Sequence, residues 1–412
     1  LEVDLNVDSE ELYGPKMKRN QVFQKIIEDL DFAIQWLPEA GSEEANRLNK
    51  DIARHVKARF CLNEGTHYKY HDELEYASEA EKWLQMAATE SDKLITSGRY
   101  EIYNTGHPQE DYFNMYRIDD KSDLKEAVLY VDYKTNIREH NMAAAGREAG
   151  CGFSKSFVES FLCSDGLPIS LSNKYLGDET MRKETANRDP RLKQLILTND
   201  FPTNVTDDLK DSTFVVNEDE FITQHCFTGY RPIKGFNPIY SQALYMKSSF
   251  DGIAYRYAET LLINAEAKAE LNTITNADLD RTVNQLRDRV GMPHLTVNVG
   301  FTDPKWPDWG YSLSPVLQEI RRERCIELAG EGFRFNDLKR WKAGKLLNNV
   351  LTYVGKRKPD GNLAIVYPNY TNPDLSYQAG KSRTWEDKMY LYPIPTGELQ
   401  RNPQLLPQNP GW

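Results

Sequence analysis

The sequence predicts a mainly α fold: a helical-repeat scaffold interrupted by a large irregular, loop-rich insertion. Three observations lead there. Amphipathic segments with apolar residues near a 3.6-residue period occur in pairs joined by short turns. Between residues 100 and 250 that period gives way to a texture rich in Gly, Pro, Asn and Asp. Residues 319–341 read as one helix, a Gly330-Glu331-Gly332 stop and a second helix. Such an αα-hairpin is the unit from which helical repeats are built.

Residues 15–38 carry Val22, Ile26, Ile27, Leu30 and Ala33 on one face and close at Trp36-Leu37-Pro38. A second helix, from 47 to about 67, carries Ile52, Val56, Ala58, Phe60 and Leu62. A third spans about 77–95 through Ala80, Trp83, Leu84 and Ala87, and Gly98 ends it. Together these form an N-terminal helical unit over residues 1–99. The insertion, 100–250, contains short strand-like runs such as Ala127-Val128-Leu129-Tyr130-Val131. It is the expected recognition surface, because loops on a rigid frame carry most binding sites.

Helical character returns at 254–271, with Ala258, Ala265 and Ala269 along one face, and a partner helix follows at 276–290. That pair and the hairpin at 315–344 are of tetratricopeptide type and define a unit over 251–345. In the hairpin, Leu317, Ile320, Cys325 and Leu328 form the first apolar stripe; Phe333, Phe335, Leu338 and Trp341 form the second. Glu319–Arg322 and Arg324–Glu327 are spaced three apart, where opposite charges support a helix by about 0.2–0.5 kcal/mol per pair. The remaining residues, 346–412, are rich in Pro, Asn and Tyr and read as an extended segment packing on the scaffold.

A net charge of −11 argues against nucleic acid as a partner, because phosphate binding needs a basic face. No stretch approaches the roughly 18 apolar residues of a membrane span. Leu1-Glu2-Val3-Asp4-Leu5 has neither the charged nor the apolar region of a signal peptide, and residue 1 is not methionine. The chain therefore reads as a processed or truncated product. Cys61, Cys151, Cys163, Cys226 and Cys325 are scattered and mostly suit free thiols, with a Cys151–Cys163 bridge as an alternative.

Catalytic signatures are missing: the sequence has no G-x-S-x-G, no H-E-x-x-H and no P-loop. Of seven histidines, His67 and His71 alone sit four apart; with Asp72 and Glu73 they imitate a metal site but read better as a solvated helix end. No cofactor is implied, and a structural Ca²⁺ among the acidic loops stays open.

What the loops do offer is aromatic surface. A flat ring stacks on the apolar C–H face of a pyranose while neighbouring polar groups take its hydroxyls. The candidates are Tyr175, Phe214, Phe227, Tyr230 with Arg231, and the run holding Trp306, Trp309 and Tyr311.

Six segments, in order, resemble the SusD/RagB family of Bacteroidetes surface lipoproteins. They are 22–38 with Ile27-Glu28-Asp29-Leu30-Asp31, and 157–169 with Asp165-Gly166-Leu167-Pro168. Next come Asn187-Arg188-Asp189-Pro190-Arg191-Leu192, and 256–267 with Arg256-Tyr257-Ala258-Glu259. The hairpin at 319–341 and the terminal Leu391-Tyr392-Pro393-Ile394-Pro395, with its closing Asn409-Pro410-Gly411-Trp412, complete the set. The resemblance implies tetratricopeptide-like helix pairs supporting an irregular ligand-binding face. It implies a non-catalytic, lipid-anchored protein of the outer membrane surface that captures oligosaccharide or polysaccharide. The partner it implies is a SusC-type TonB-dependent transporter. A peptide-binding subunit of a RagAB-type uptake complex is the alternative within the family. A glycoside hydrolase and a plain protein-binding scaffold are the alternatives outside it.

Overall fold

The computed structural model describes residues 10–42, 46–143, 152–223, 225–365 and 384–412. Helices α1 (Arg19–Trp36), α2 (Lys50–Tyr70) and α3 (Ala77–Thr96) open the scaffold, and α2 packs along both of its neighbours. Asn49 starts α2 by accepting the free amides of Asp51 and Ile52. Gly65 lets α3 come close: a Cβ there would meet Leu84 at 2.9 Å. Helix α4 (Tyr257–Glu270) lies against α3, and α5 (Pro315–Glu327) lies against α4. Ser314 caps α5 through the Leu317 amide, with Pro315 in its first turn. Helix α6 (Arg334–Arg340) then folds back onto α2. The turn between α5 and α6 is made by Gly330 and Gly332, both left-handed at φ +75° and +84°.

The insertion leaves and re-enters the scaffold at one place. Strand β1 (Ala127–Val131) ends its first part and pairs antiparallel with β4 (Gly252–Arg256), which leads straight into α4. Inside it, β2 (Pro202–Val205) and β3 (Ser212–Phe214) form a hairpin; β5 (Val354–Arg357) and β6 (Leu363–Ile365) form another after the scaffold. The insertion has its own core of Tyr112, Val158, Phe161, Leu192, Tyr230 and Phe236, which reaches Ile326 and Ala329 at the end of α5. Full burial of such side chains contributes about 1.5–3 kcal/mol each.

Several expectations are corrected. Val22 and Phe60 are exposed, because α1 turns Phe23 and Ile27 to the core and α2 turns Cys61 and Leu62. The partner helix expected at 276–290 is two pieces, Asn276–Asp280 and Val283–Arg289. Between them Thr282 bonds its hydroxyl back to the Asp278 carbonyl and leaves helical dihedrals. Phe335 is exposed. Glu319 and Arg322 do pair at 3.1 Å, but Arg324 and Glu327 do not turn to each other. Arg324 goes to Asp337 of α6, and Glu327 accepts from three arginines outside its own helix. Cys163 is buried; Cys151, and with it the alternative bridge, lies outside the described residues.

Candidate functional site

The residues expected to bind ligand fall into separate places. Tyr230 is 0% exposed in the insertion core and donates its hydroxyl to Glu184 at 2.8 Å, with Lys155 Nζ 3.3 Å away. Burial, then the Glu184 charge, pushes its phenol well above the usual range. Trp309 is 6% exposed, edge-on to Trp341 at 5.5 Å, and its indole N–H donates to Gln318. Tyr311 stacks on Tyr70 at 4.4 Å and donates to the Trp341 carbonyl. Trp306 is half-buried and donates to Glu319. These three rings fasten the 303–311 loop onto α5, and Asp303 adds bonds to Ser170 and Arg322.

Tyr175 is half-buried under the Arg188 guanidinium, and Arg231 is half-buried beside Phe236. Phe227 is half-buried, while Phe214, on β3, is 42% exposed. The stacking expected of Tyr230 and Trp309 is therefore corrected: both rings are covered by protein. A buried tyrosine needs a partner for its hydroxyl, and Glu184 supplies it. The 67–71 helix end is corrected too: both histidine rings are buried and stacked 4.0 Å apart. Among the described residues no group of three or more His, Cys, Asp or Glu is placed to hold a metal ion.

Two features escaped the sequence reading. One is a segment of the insertion that presents Tyr240 (50% exposed) and Tyr245 (73% exposed) to solvent. Its backbone is clamped to His140 by reciprocal His140–Ser248 amide bonds of 2.9 and 3.1 Å, an isolated antiparallel bridge. The Met246 amide also donates to Asn141. The rings thus stand on a backbone tied down by hydrogen bonds. Nothing in the local pattern marks them, since no period distinguishes an exposed loop tyrosine from a packed one.

The other feature is a cleft of about 1050 Å³ between α2, β4 and the α5–α6 turn. Arg59 lines it, stacked between Tyr255 and Phe333 and bonded to Glu259. Burial raises the Glu259 carboxyl, but His55 and Arg59 outweigh it and hold it below the usual range. Glu331 is held low in the same way by Arg256 and Lys234 against its burial. Carboxylates so neutralised are poor proton donors or acceptors near neutral pH. Glu184 is the contrary case, raised by burial, yet it sits 1% exposed under Lys155 and Tyr230.

The described residues thus form a helical frame that carries an irregular, loop-rich face. The chain belongs to the SusD family, whose model matches residues 89–412. It is similar to SusD-like protein P2 of Formosa agariphila, 24% identical over 410 residues, covering 96% of this chain and 66% of that protein. The chain thus spans just under two thirds of that relative's length. Among solved structures, a SusD-like protein from Bacteroides fragilis superposes with a TM-score of 0.70 at 24% identity, over 100% of this chain and 74% of its own. A SusD-like carbohydrate binding protein from the same species gives 0.68 at 22% identity, over 98% and 75%. At these identities the structural likeness shows the fold. Among the described residues no helix is long and apolar enough to cross a membrane.

Proposed function

We propose that this chain is a non-catalytic glycan-binding protein of the outer membrane surface. It captures oligosaccharides and passes them to a SusC-type TonB-dependent transporter, held at the surface by a lipid anchor. The observation that carries this reading is the SusD-family match over residues 89–412, whose structural relatives include a carbohydrate binding protein. The clamped Tyr240 and Tyr245 and the exposed Phe214 support it, since each offers a ring face to a pyranose. Half-buried Tyr175, Phe227, Arg231 and Trp306 remain candidates for the polar and edge contacts around it. Titration calorimetry of the protein against a panel of oligosaccharides, with a peptide pool in parallel, tests it. Heat with at least one glycan, and no reducing sugar released from polysaccharide, is the expected outcome. Heat with peptides alone assigns a peptide carrier instead, and released reducing sugar assigns a hydrolase.

A further inference from the structure

We propose that the ligand held at the Tyr245 face of the insertion is an anionic glycan, and that Lys134 and Arg138 bind its carboxylate or sulfate group. This rests on the glycan reading above and adds the charge of the sugar to it. Residues 134–138 fold into a tight turn. The Lys134 amide donates to the Arg138 carbonyl at 2.8 Å, and the Arg138 amide returns to the Lys134 carbonyl at 2.9 Å. Asn136, left-handed at φ +61°, closes the turn. Directly opposed residues of an antiparallel pair project to the same face, where like charges repel. Lys134 and Arg138 are such a pair, and both are exposed.

Among the described residues neither cation is ion-paired, with the nearby Asp132 or with any other carboxylate. Glu139, the next residue along, faces the other side and pairs with Lys247 at 3.1 Å. Asp251 is occupied by the Lys121 and Tyr133 amides at 3.0 and 2.7 Å. In a chain of net charge −11, two opposed cations left to solvent are a local inversion of sign. An anion placed between them removes the repulsion and satisfies both.

The geometry suits such a group. The Arg138 guanidinium lies 5.0 Å over the Tyr133 ring, which stands edge-on to His140 at 4.4 Å. A stacked guanidinium keeps its plane and presents a fork of N–H donors that matches two oxygens of a carboxylate or sulfate. Lys134 adds a point charge on a flexible stem. The turn is also tied to the run that carries Tyr245. Thr135 Oγ1 lies 3.1 Å from Ser249 Oγ, and Asn141 takes the Met246 amide at 3.1 Å. Arg138 and Asn141 are three residues apart, at most roughly 10 Å of extended chain. Cations and ring therefore share one ledge, within the span of an oligosaccharide.

Calorimetry of the whole chain with matched sugars tests this: oligogalacturonate against its methyl ester, and sulfated galactan oligomers against the desulfated form. The anionic member of at least one pair is expected to bind about tenfold or more tightly than its uncharged partner, the worth of charge-assisted hydrogen bonds. The pair that responds tells carboxylate from sulfate. That affinity is expected to fall several-fold as NaCl rises from about 0.05 to about 0.5 M. Lys134→Gln combined with Arg138→Gln is expected to abolish both the preference and the salt dependence, while the melting temperature holds or rises as the like-charge pair is removed. Lys210→Gln, which removes an exposed charge next to the β2–β3 hairpin, is the control and is expected to change neither. Equal affinity for charged and uncharged members, an unchanged preference in the double variant, or an equal loss in the control overturns the subsite and leaves the glycan reading standing. Absence of binding to every glycan overturns both.

Discussion

The α5–α6 hairpin and the 239–249 loop of the insertion are opposites in how they use chemically active side chains. The hairpin is full of charge and hides it. Glu327 is 0% exposed and accepts from Arg191, Arg256 and Arg289; Arg256 also reaches Glu126 and Glu331. The loop is nearly uncharged and shows its rings to solvent. In an enzyme the buried arginine–glutamate array would invite a catalytic reading. Here Glu327 and Glu331 are taken up by structure, and the proposed recognition falls to side chains that structure leaves exposed. The difference teaches that density of functional groups does not locate a site; unspent bonding capacity does.

Acidification should strain the hairpin side of this comparison most. Burial raises the Glu327 carboxyl, but Arg289, Arg256 and Arg191 hold it well below the usual range. A depressed folded-state value means the stabilisation is present above the ordinary glutamate range and lost as pH falls toward the folded one. Thermal unfolding followed from pH 7 to 3 should show a steep drop, and a flat profile breaks the comparison. Next in size, Glu327→Ala leaves three buried guanidiniums short of an acceptor and is expected to cost about 3–5 kcal/mol in urea unfolding. A loss below about 1 kcal/mol would mean those charges reach water.

Trp309→Ala is expected to cost about 3 kcal/mol by removing a packed ring from Trp341 and Arg321. Glycan affinity of the surviving folded protein should stay as it was; if affinity falls and melting does not, Trp309 belongs to the site. The smallest stability effect, and the sharpest functional one, is expected for Tyr245→Ala. Stability should change by less than about 0.5 kcal/mol, as for an exposed residue. Affinity for the best glycan should fall about three- to tenfold, the worth of one stacking contact. Unchanged affinity moves the binding surface elsewhere on the insertion.

Much of the scaffold was legible in sequence because its signals are local. The apolar period places α1, α2, α3 and α4 within a few residues, and Gly330 and Gly332, one residue apart, announce the α5–α6 turn. The site was far less legible. Tyr230 sits among Gly229, Pro232 and Gly235, and Tyr245 in a run of Ser, Gln, Ala and Leu, yet neither setting says which ring is buried. One meets Glu184 and Lys155, 46 and 75 residues away in sequence, and is buried; the other meets solvent. The cleft is built from α2, β4 and the α5–α6 turn, which no window of sequence brings together.

By itself, then, the sequence determined the long helices, the left-handed turn and the family, all of which rest on short-range period, steric preference and order along the chain. The tertiary structure alone decided which charges pair and which rings face water. Glu319 keeps its helical neighbour Arg322, while Arg324 and Glu327, equally spaced, abandon each other for Asp337 and for arginines from other elements. The reason is physical: exposed i, i+3 pairs gain a few tenths of a kcal/mol, whereas a buried charge without a partner costs several. Long-range burial therefore overrules local spacing wherever the two compete.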